Sequence, residues 1–232
     1  ADGNPVLQRS EFTSFGNTLS ITQSGDDNEV GLGVIVNRGS GFFQFNQSGL
    51  GSTATVVQSS NGNSIGTINQ VNRTGGASEN SLEVTQEGGD GNSIGAISQD
   101  RSGSTDGSAA GRLGHDATIL QSGVGNNIGL ARQGTQFDAS ADNMMDLAQT
   151  GDDNNIDSAI QLGNSNVMTA TFSGNNNGLG SLTDMFSGAS GAITSTLDQR
   201  GLENSATLDF AGDNNDFGVS QDGERNIADG II

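Results

Sequence analysis

The stretch Asn17-Thr-Leu-Ser-Ile-Thr-Gln23-Ser-Gly25-Asp-Asp-Asn28 decides the fold. An amide opens it, apolar residues alternate with small polar ones, a second amide closes the run, and a Gly turn leads to another Asn. The pattern returns from Asn143 through Gln149 and Gly151 to Asn154, and in weaker form from Ser52, Asn80, His115, Asn166 and Asn204. Self-similarity at a period of a few tens of residues marks a repeat architecture. Side chains along a strand alternate faces. Asn17, Leu19, Ile21 and Gln23 therefore share one face, and Thr18, Ser20 and Thr22 share the other. Asn80, Leu82, Val84 and Gln86 repeat the register, as do His115, Ala117, Ile119 and Gln121.

A second half-repeat begins Asn-x-apolar-Gly, at Asn28, Asn63, Asn92, Asn126, Asn177 and Asn215. First and second halves pair as 17/28, 52/63, 80/92, 115/126, 143/154, 166/177 and 204/215. The separation is eleven residues throughout, except for twelve at 80/92. One corner is thus nearly constant in length, while the other varies. Loops are expected at that variable edge, at about 71–79, 100–114, 134–142 and 183–192. The stretches 41–47 and 191–199 read as degenerate strands, either extra coils or out-loops. In the second halves Gln follows Asn by seven residues, as in 63/70, 92/99, 126/133 and 154/161. An odd spacing reverses the face, so an inward Gln requires a one-residue bulge just past the Gly.

These features predict an all-β fold: a β-solenoid of strand-turn-strand coils in two facing parallel sheets, cross-β when assembled. Residues 1–16 form an N-terminal segment, and 17–232 carry the repeats. Stacked Asn and Gln side chains are expected to form amide ladders, each donating to one neighbour and accepting from the other. The candidates are Asn17, Gln23, Asn28, Gln47, Gln58, Asn63, Asn80, Gln86, Asn92, Gln121, Asn126, Asn143, Gln149, Asn154, Asn166, Asn177, Asn204, Asn215 and Gln221. Candidate turn glycines are Gly25, Gly49, Gly88, Gly123, Gly151, Gly174 and Gly212, where the chain needs geometry forbidden to other residues. His115 reads as a ladder variant.

Composition narrows the function. Hydrophobic residues make up 31% of the 232, aromatics 4%, and there are 37 Gly. That is thin for a globular core and makes disorder the first rival. The regular alternation argues against it, because a solenoid coil is covered by its neighbours. Formal net charge is −19, and all basic residues are Arg. Nucleic acid and anionic membrane surfaces both require clustered positive charge, so neither is expected as a partner. Cysteine is absent, which removes disulfide and thiolate chemistry. No apolar run reaches the roughly 20 residues a spanning helix needs. The opening Ala1-Asp2-Gly3 is what a signal-cleaved chain presents.

No catalytic constellation stands out. One His without Lys offers no nucleophile-base pair, and no clustered carboxylates face a basic partner. Gly88-Gly-Asp-Gly-Asn92 reads as a turn rather than a calcium-binding nonapeptide. The acidic corners Asp26, Asp27, Asp152, Asp153 and Asp213 are weak Ca²⁺ candidates; as solvated charges they also discourage aggregation. No cofactor and no enzyme activity are expected.

The pattern Gln-x-Gly-x-x-Asn-x-apolar resembles the curlin repeat of bacterial curli fibres. It is carried by Gln23-Ser-Gly25-Asp-Asp-Asn28, Gln86-Glu-Gly88, Gln121-Ser-Gly123-Val-Gly-Asn126 and Gln149-Thr-Gly151-Asp-Asp-Asn154, and extends unevenly over roughly 17–228. The resemblance implies a secreted, self-assembling functional amyloid of the biofilm matrix. It also implies an outer-membrane secretion channel and a nucleator as partners. Variable repeat length, displaced Gln and the lack of Tyr mark a divergent member. The expected function is a subunit of an extracellular fibre, adding head-to-tail through unpaired terminal strands and supporting adhesion. Two alternatives stand beside it: a monomeric secreted solenoid that binds a surface, ligand or ice, and a curli nucleator.

Overall fold

The computed structural model describes residues 9–10, 16–30, 45–48, 51–72, 80–101, 114–134, 142–178, 181–183, 192–194, 196–213 and 219–231. These residues form strands and turns, with no helix. The strands run β1 (Arg9–Ser10), β2 (Thr18–Gln23), β3 (Glu29–Val30), β4 (Phe45–Ser48), β5 (Thr53–Gln58), β6 (Ser64–Asn72) and β7 (Ser81–Glu87). They continue as β8 (Ser93–Arg101), β9 (Asp116–Ser122), β10 (Asn127–Gln133), β11 (Met144–Thr150), β12 (Asn155–Asn164) and β13 (Val167–Ser173). The last are β14 (Ser181–Thr183), β15 (Ala192–Thr194), β16 (Thr196–Leu202), β17 (Ser205–Ala211), β18 (Val219–Glu224) and β19 (Ile227–Ile231).

Two parallel sheets result. One runs β2-β5-β7-β9-β11-β13-β17-β19; the other runs β1-β4-β6-β8-β10-β12-β16-β18, with β3 also beside β6. Each coil contributes one strand to each sheet, so the chain is a β-solenoid. Homologous residues stack in register: Leu82 lies beside Ala54 and Ala117, and Gln86 beside Gln58 and Gln121.

Burial follows the alternation read from the sequence. In β5, Ala54, Val56 and Gln58 are buried while Thr53, Thr55 and Val57 are partly exposed. Second-half strands change phase once. In β10, Ile128 is buried, then Ala131 and Gln133, so the inward period slips by one residue across Gly129–Leu130. Ile65/Ile68/Gln70, Ile94/Ile97/Gln99 and Ile156/Ala159/Gln161 repeat the slip. This is the bulge that the seven-residue spacing required. It returns the Gln to the interior.

The core between the sheets is narrow. Two apolar positions per strand fill it, such as Leu82 and Val84 facing Ile94 and Ile97, and amides close both ends of the row. So few aliphatics cannot stabilise a coil alone; each level depends on the levels stacked against it.

The described residues of the two degenerate stretches form no extra coil. Val30 pairs with Ile65 and Phe45 with Ile68, so the chain leaves the first coil after β3 and rejoins the same level at β4. Likewise Asn155 N–H donates to Asn177 O, and Ser158 pairs with Thr196, so the sixth coil is left and re-entered. Within that second insertion β14 and β15 pair antiparallel as a separate two-stranded sheet. Both insertions fall at the bulge, where strand pairing is already interrupted, and not at the variable corner. The corner loops expected at 71–79, 100–114 and 134–142 lie largely outside the described residues, and the one expected at 183–192 falls between β14 and β15 in the second insertion, not at the variable corner.

Candidate functional site: amide ladders and the ends of the stack

Four rows of buried polar side chains run along the solenoid, two at each corner. In the eight-stranded sheet, Gln23 Nε2 donates to Gln58 Oε1 (2.7 Å), Gln58 to Gln86 (2.7 Å), Gln86 to Gln121 (2.8 Å) and Gln121 to Gln149 (2.9 Å). In the other sheet the donation runs Gln47, Gln70, Gln99, Gln133, Gln161 at 2.8–3.1 Å. Beyond Gln161 the backbone register continues through Gln199 to Gln221. Every bond in both rows has the same sense, from the N-terminal coil to the C-terminal one.

The same Nε2 groups also tie the sheets together. Gln70 reaches Thr53 O (2.9 Å), Gln99 reaches Ser81 O (2.7 Å) and Gln133 reaches Asp116 O (2.6 Å). Gln58, Gln86, Gln121 and Gln149 reach Glu29, Ser64, Ser93 and Asn127 carbonyls in the facing sheet. A buried amide has two donors and one carbonyl to satisfy. Here one N–H extends the ladder and the other closes the corner.

The Asn rows use a different bond. Asn63, Asn92, Asn126, Asn154 and Asn177 each donate their backbone N–H to Oδ1 of the preceding row member, beginning with Asn28, at 3.0–3.1 Å. Their Nδ2 groups cap turn carbonyls: Asn126 on Gly151 O, Asn154 on Gly174 O and Asn177 on Gly212 O. The other Asn row runs Asn17–Ser52, Asn80–His115 and Asn143–Asn166–Asn204–Asn226. It breaks after Ser52 and after His115, because neither side chain places an amide oxygen against the next coil. Ser52 Oγ is buried without a partner. His115 occupies the ladder position, with Nε2 3.3 Å from Asp100 O.

A further ladder at the constant corner was not evident from sequence. Backbone N–H of Asp26, Asn61, Val124, Asp152 and Asn175 donates to the side-chain oxygen of Asn61, Asp90, Asp152, Asn175 and Asp213 respectively. Asp152 and Asp213 are thus acceptors in the turn stack, and Asp27 and Asp153 sit beside them at φ 58° and 56°. Among the described residues no three His, Asp or Glu come together to hold a metal. The signal available in the sequence was the recurrence of Asp or Asn two places before the ladder Asn.

Turn geometry explains the glycines. Gly25, Gly88, Gly123, Gly151 and Gly174 have positive φ. A Cβ at Gly123, Gly151 or Gly174 would also strike the carbonyl oxygen of Gly151, Gly174 or Gly212 in the next coil. The residue before seven of the ladder Asn is left-handed as well: Asp27, Asp142, Asp153, Ser165, Asn176, Glu203 and Arg225 lie at φ 55–58°. For Glu and Arg this is an uncommon conformation. The two stack as exposed neighbours, with Arg225 Nε 2.8 Å from Glu203 Oε2. The hydrogen bond to Glu203, then its charge, raises the Arg225 pKa above its usual value. Gly49 and Asn215 lie outside the described residues, and so do the side-chain contacts of Gln221.

The Gln row of the eight-stranded sheet ends after Gln149, where buried Phe172 takes the next place and pairs in register with Phe210. The described strands present no catalytic grouping. Their distinctive surfaces are the outer edges of β1 and β2 at one end and of β18 and β19 at the other.

Comparison with curated proteins and with solved structures finds no match. The family model described as the curlin associated repeat matches residues 194–223. Those residues span β16 and β17 and reach into β18. They include the one second half in which Gln follows Asn by six residues, Asn215 to Gln221, the regular spacing that elsewhere is broken by the bulge. Through this repeat, the chain is related to the curlin family.

Proposed function

We propose that this chain is the structural subunit of an extracellular curli-like fibre, growing by head-to-tail addition of copies. The observation that carries the reading is the pair of continuous parallel sheets whose terminal strands, among the described residues, have no partner on their outer edges. An open edge is a row of backbone donors and acceptors ready to template another strand. Each ladder has one sense of donation, so a copy added in the same orientation keeps that sense along the fibre. A copy added in reverse would bring like groups together.

The curlin-related repeat and the all-β solenoid support a structural role rather than a catalytic one. The relation to the curlin repeat supports adding secretion, a nucleator and an outer-membrane channel to the proposal. In the matrix such fibres would serve adhesion and surface attachment. Negative-stain microscopy of the freshly desalted chain, with fibre diffraction, tests the reading. Filaments with a meridional spacing of about 4.7–4.8 Å are expected. Rods of monomer length that persist for days at high concentration, with or without seeds, would refute it and favour a capped adhesin.

A further inference from the structure

The two ends of the solenoid are not flat. Ser10 in β1 pairs with Gln47 in β4, so β1 lies one level beyond the first coil, a level that the described residues fill in the nine-stranded sheet alone. The eight-stranded sheet begins one level later, with β2. At the other end the offset reverses. Ile227 in β19 pairs with Ser205 in β17, so the eight-stranded sheet projects one level beyond the last coil, while β18 is the last described strand of the nine-stranded sheet. Each end is a step half a coil wide, and the steps lie on opposite sheets.

We propose that these steps interlock, so that β19 of one copy and β1 of the next together complete a single shared coil. The proposal rests on the head-to-tail reading and specifies its joint. A second copy, in the same orientation, fits β1 against the free edge of β18 and β2 against that of β19. Both sheets then continue without a missing strand. Extending the rows fixes the register. Gln221 meets Ser10, Ser220 meets Arg9, Ala228 meets Leu19, Asp229 meets Ser20 and Gly230 meets Ile21.

Side-chain size supports the fit. Leu19 and Ile21 pack on the core but remain partly exposed, whereas their counterparts one and two coils inward are buried. The residues brought over them are small. Leu19 above Ala228 repeats the Leu19/Ala54 and Leu82/Ala117 neighbours already present in that row. The backbone rule extends in the same way. Val167 and Ser205 donate to the Asn204 and Asn226 carbonyls, so Ile227 N–H falls to Asn17 O of the added copy. Ile227, now 80% exposed, gains Thr18 as a neighbour on its open flank.

Two measurements test this. The first uses the unmodified chain: the axial repeat per subunit in fibres. With a shared coil each copy advances eight strand levels, about 38 Å at roughly 4.75 Å per level; without sharing, nine levels give about 43 Å. The second exploits the absence of cysteine. Ser20→Cys/Asp229→Cys and Arg9→Cys/Ser220→Cys variants are assembled reduced and then oxidised. Adjacent in-register strands suit disulfide geometry, so both variants are expected to give reducible oligomer ladders, and the four single variants none. Fibres repeating at about 43 Å, or cross-linked in only one of the two variants, overturn the shared coil and leave head-to-tail growth standing. A chain that forms no fibre overturns both.

Discussion

Replacing Gln121 by Leu isolates the energetic worth of a ladder rung. Gln121 is fully buried, accepts from Gln86 Nε2 at 2.8 Å, and donates to Gln149 Oε1 at 2.9 Å and Ser93 O at 3.1 Å. Leu has nearly the same bulk, so no large cavity forms. What changes is satisfaction. Gln149 Oε1 loses its donor, and Gln86 Nε2 keeps only a 3.4 Å contact to Ser64 O. Leaving a buried polar group unsatisfied costs about 1–3 kcal/mol. Two such groups, offset by about 1 kcal/mol of extra apolar burial, give a net loss of about 3 kcal/mol. With a urea m-value of about 3 kcal/mol/M, the midpoint falls by about 1 M. The assay is urea unfolding of the freshly desalted, unassembled chain, followed by far-UV circular dichroism. Gln121→Leu/Gln149→Leu should cost less than the two singles combined, since the orphaned oxygen goes with its residue. Phe172 shows that an apolar side chain is accommodated where the row stops. A midpoint for Gln121→Leu within about 0.2 M of the parent, on that same m-value scale, would refute the view that the ladders stabilise the stack.

Gly151→Ala combines a forced φ of 106° with a Cβ against Gly174 O, and should lower stability by about 2–3 kcal/mol in the same urea titration; an unchanged midpoint would mean the turn relaxes freely. Ser52→Asn supplies the missing oxygen opposite Asn80 N–H and should raise stability by about 1 kcal/mol, whereas a lower midpoint would show that the break is imposed by space. Assembly should be faster near the isoelectric point of about 4.1, or in added salt, than at pH 7 and low ionic strength, because the charge of −19 repels incoming copies. Dye-binding rates that stay flat from pH 4 to 8 and across ionic strength would contradict this.

Much of the fold was legible because its governing signal is short in range. Alternation with a period of two places Leu82, Val84 and Gln86 on one face whatever lies around them. A Gln seven residues after Asn63, Asn92, Asn126 or Asn154 can only turn inward through a bulge. The constant corner announced itself through its nearly constant length. Other features are not decided within one repeat. Asp152 as an acceptor from Val124 N–H, or Glu203 in a left-handed turn, depends on what the neighbouring coil presents.

By itself the sequence determined the architecture and which side chains face the interior. Parity along a strand and the repeat length are properties of the chain alone. Only the tertiary structure decided which rows run unbroken, that the stack is left after Val30 and Asn177 and rejoined at Phe45 and Thr196, and that the described ends are offset by half a coil. Those depend on pairing between residues some 20–40 positions apart, where a strand's partner is chosen by stacking and register, which no single repeat encodes.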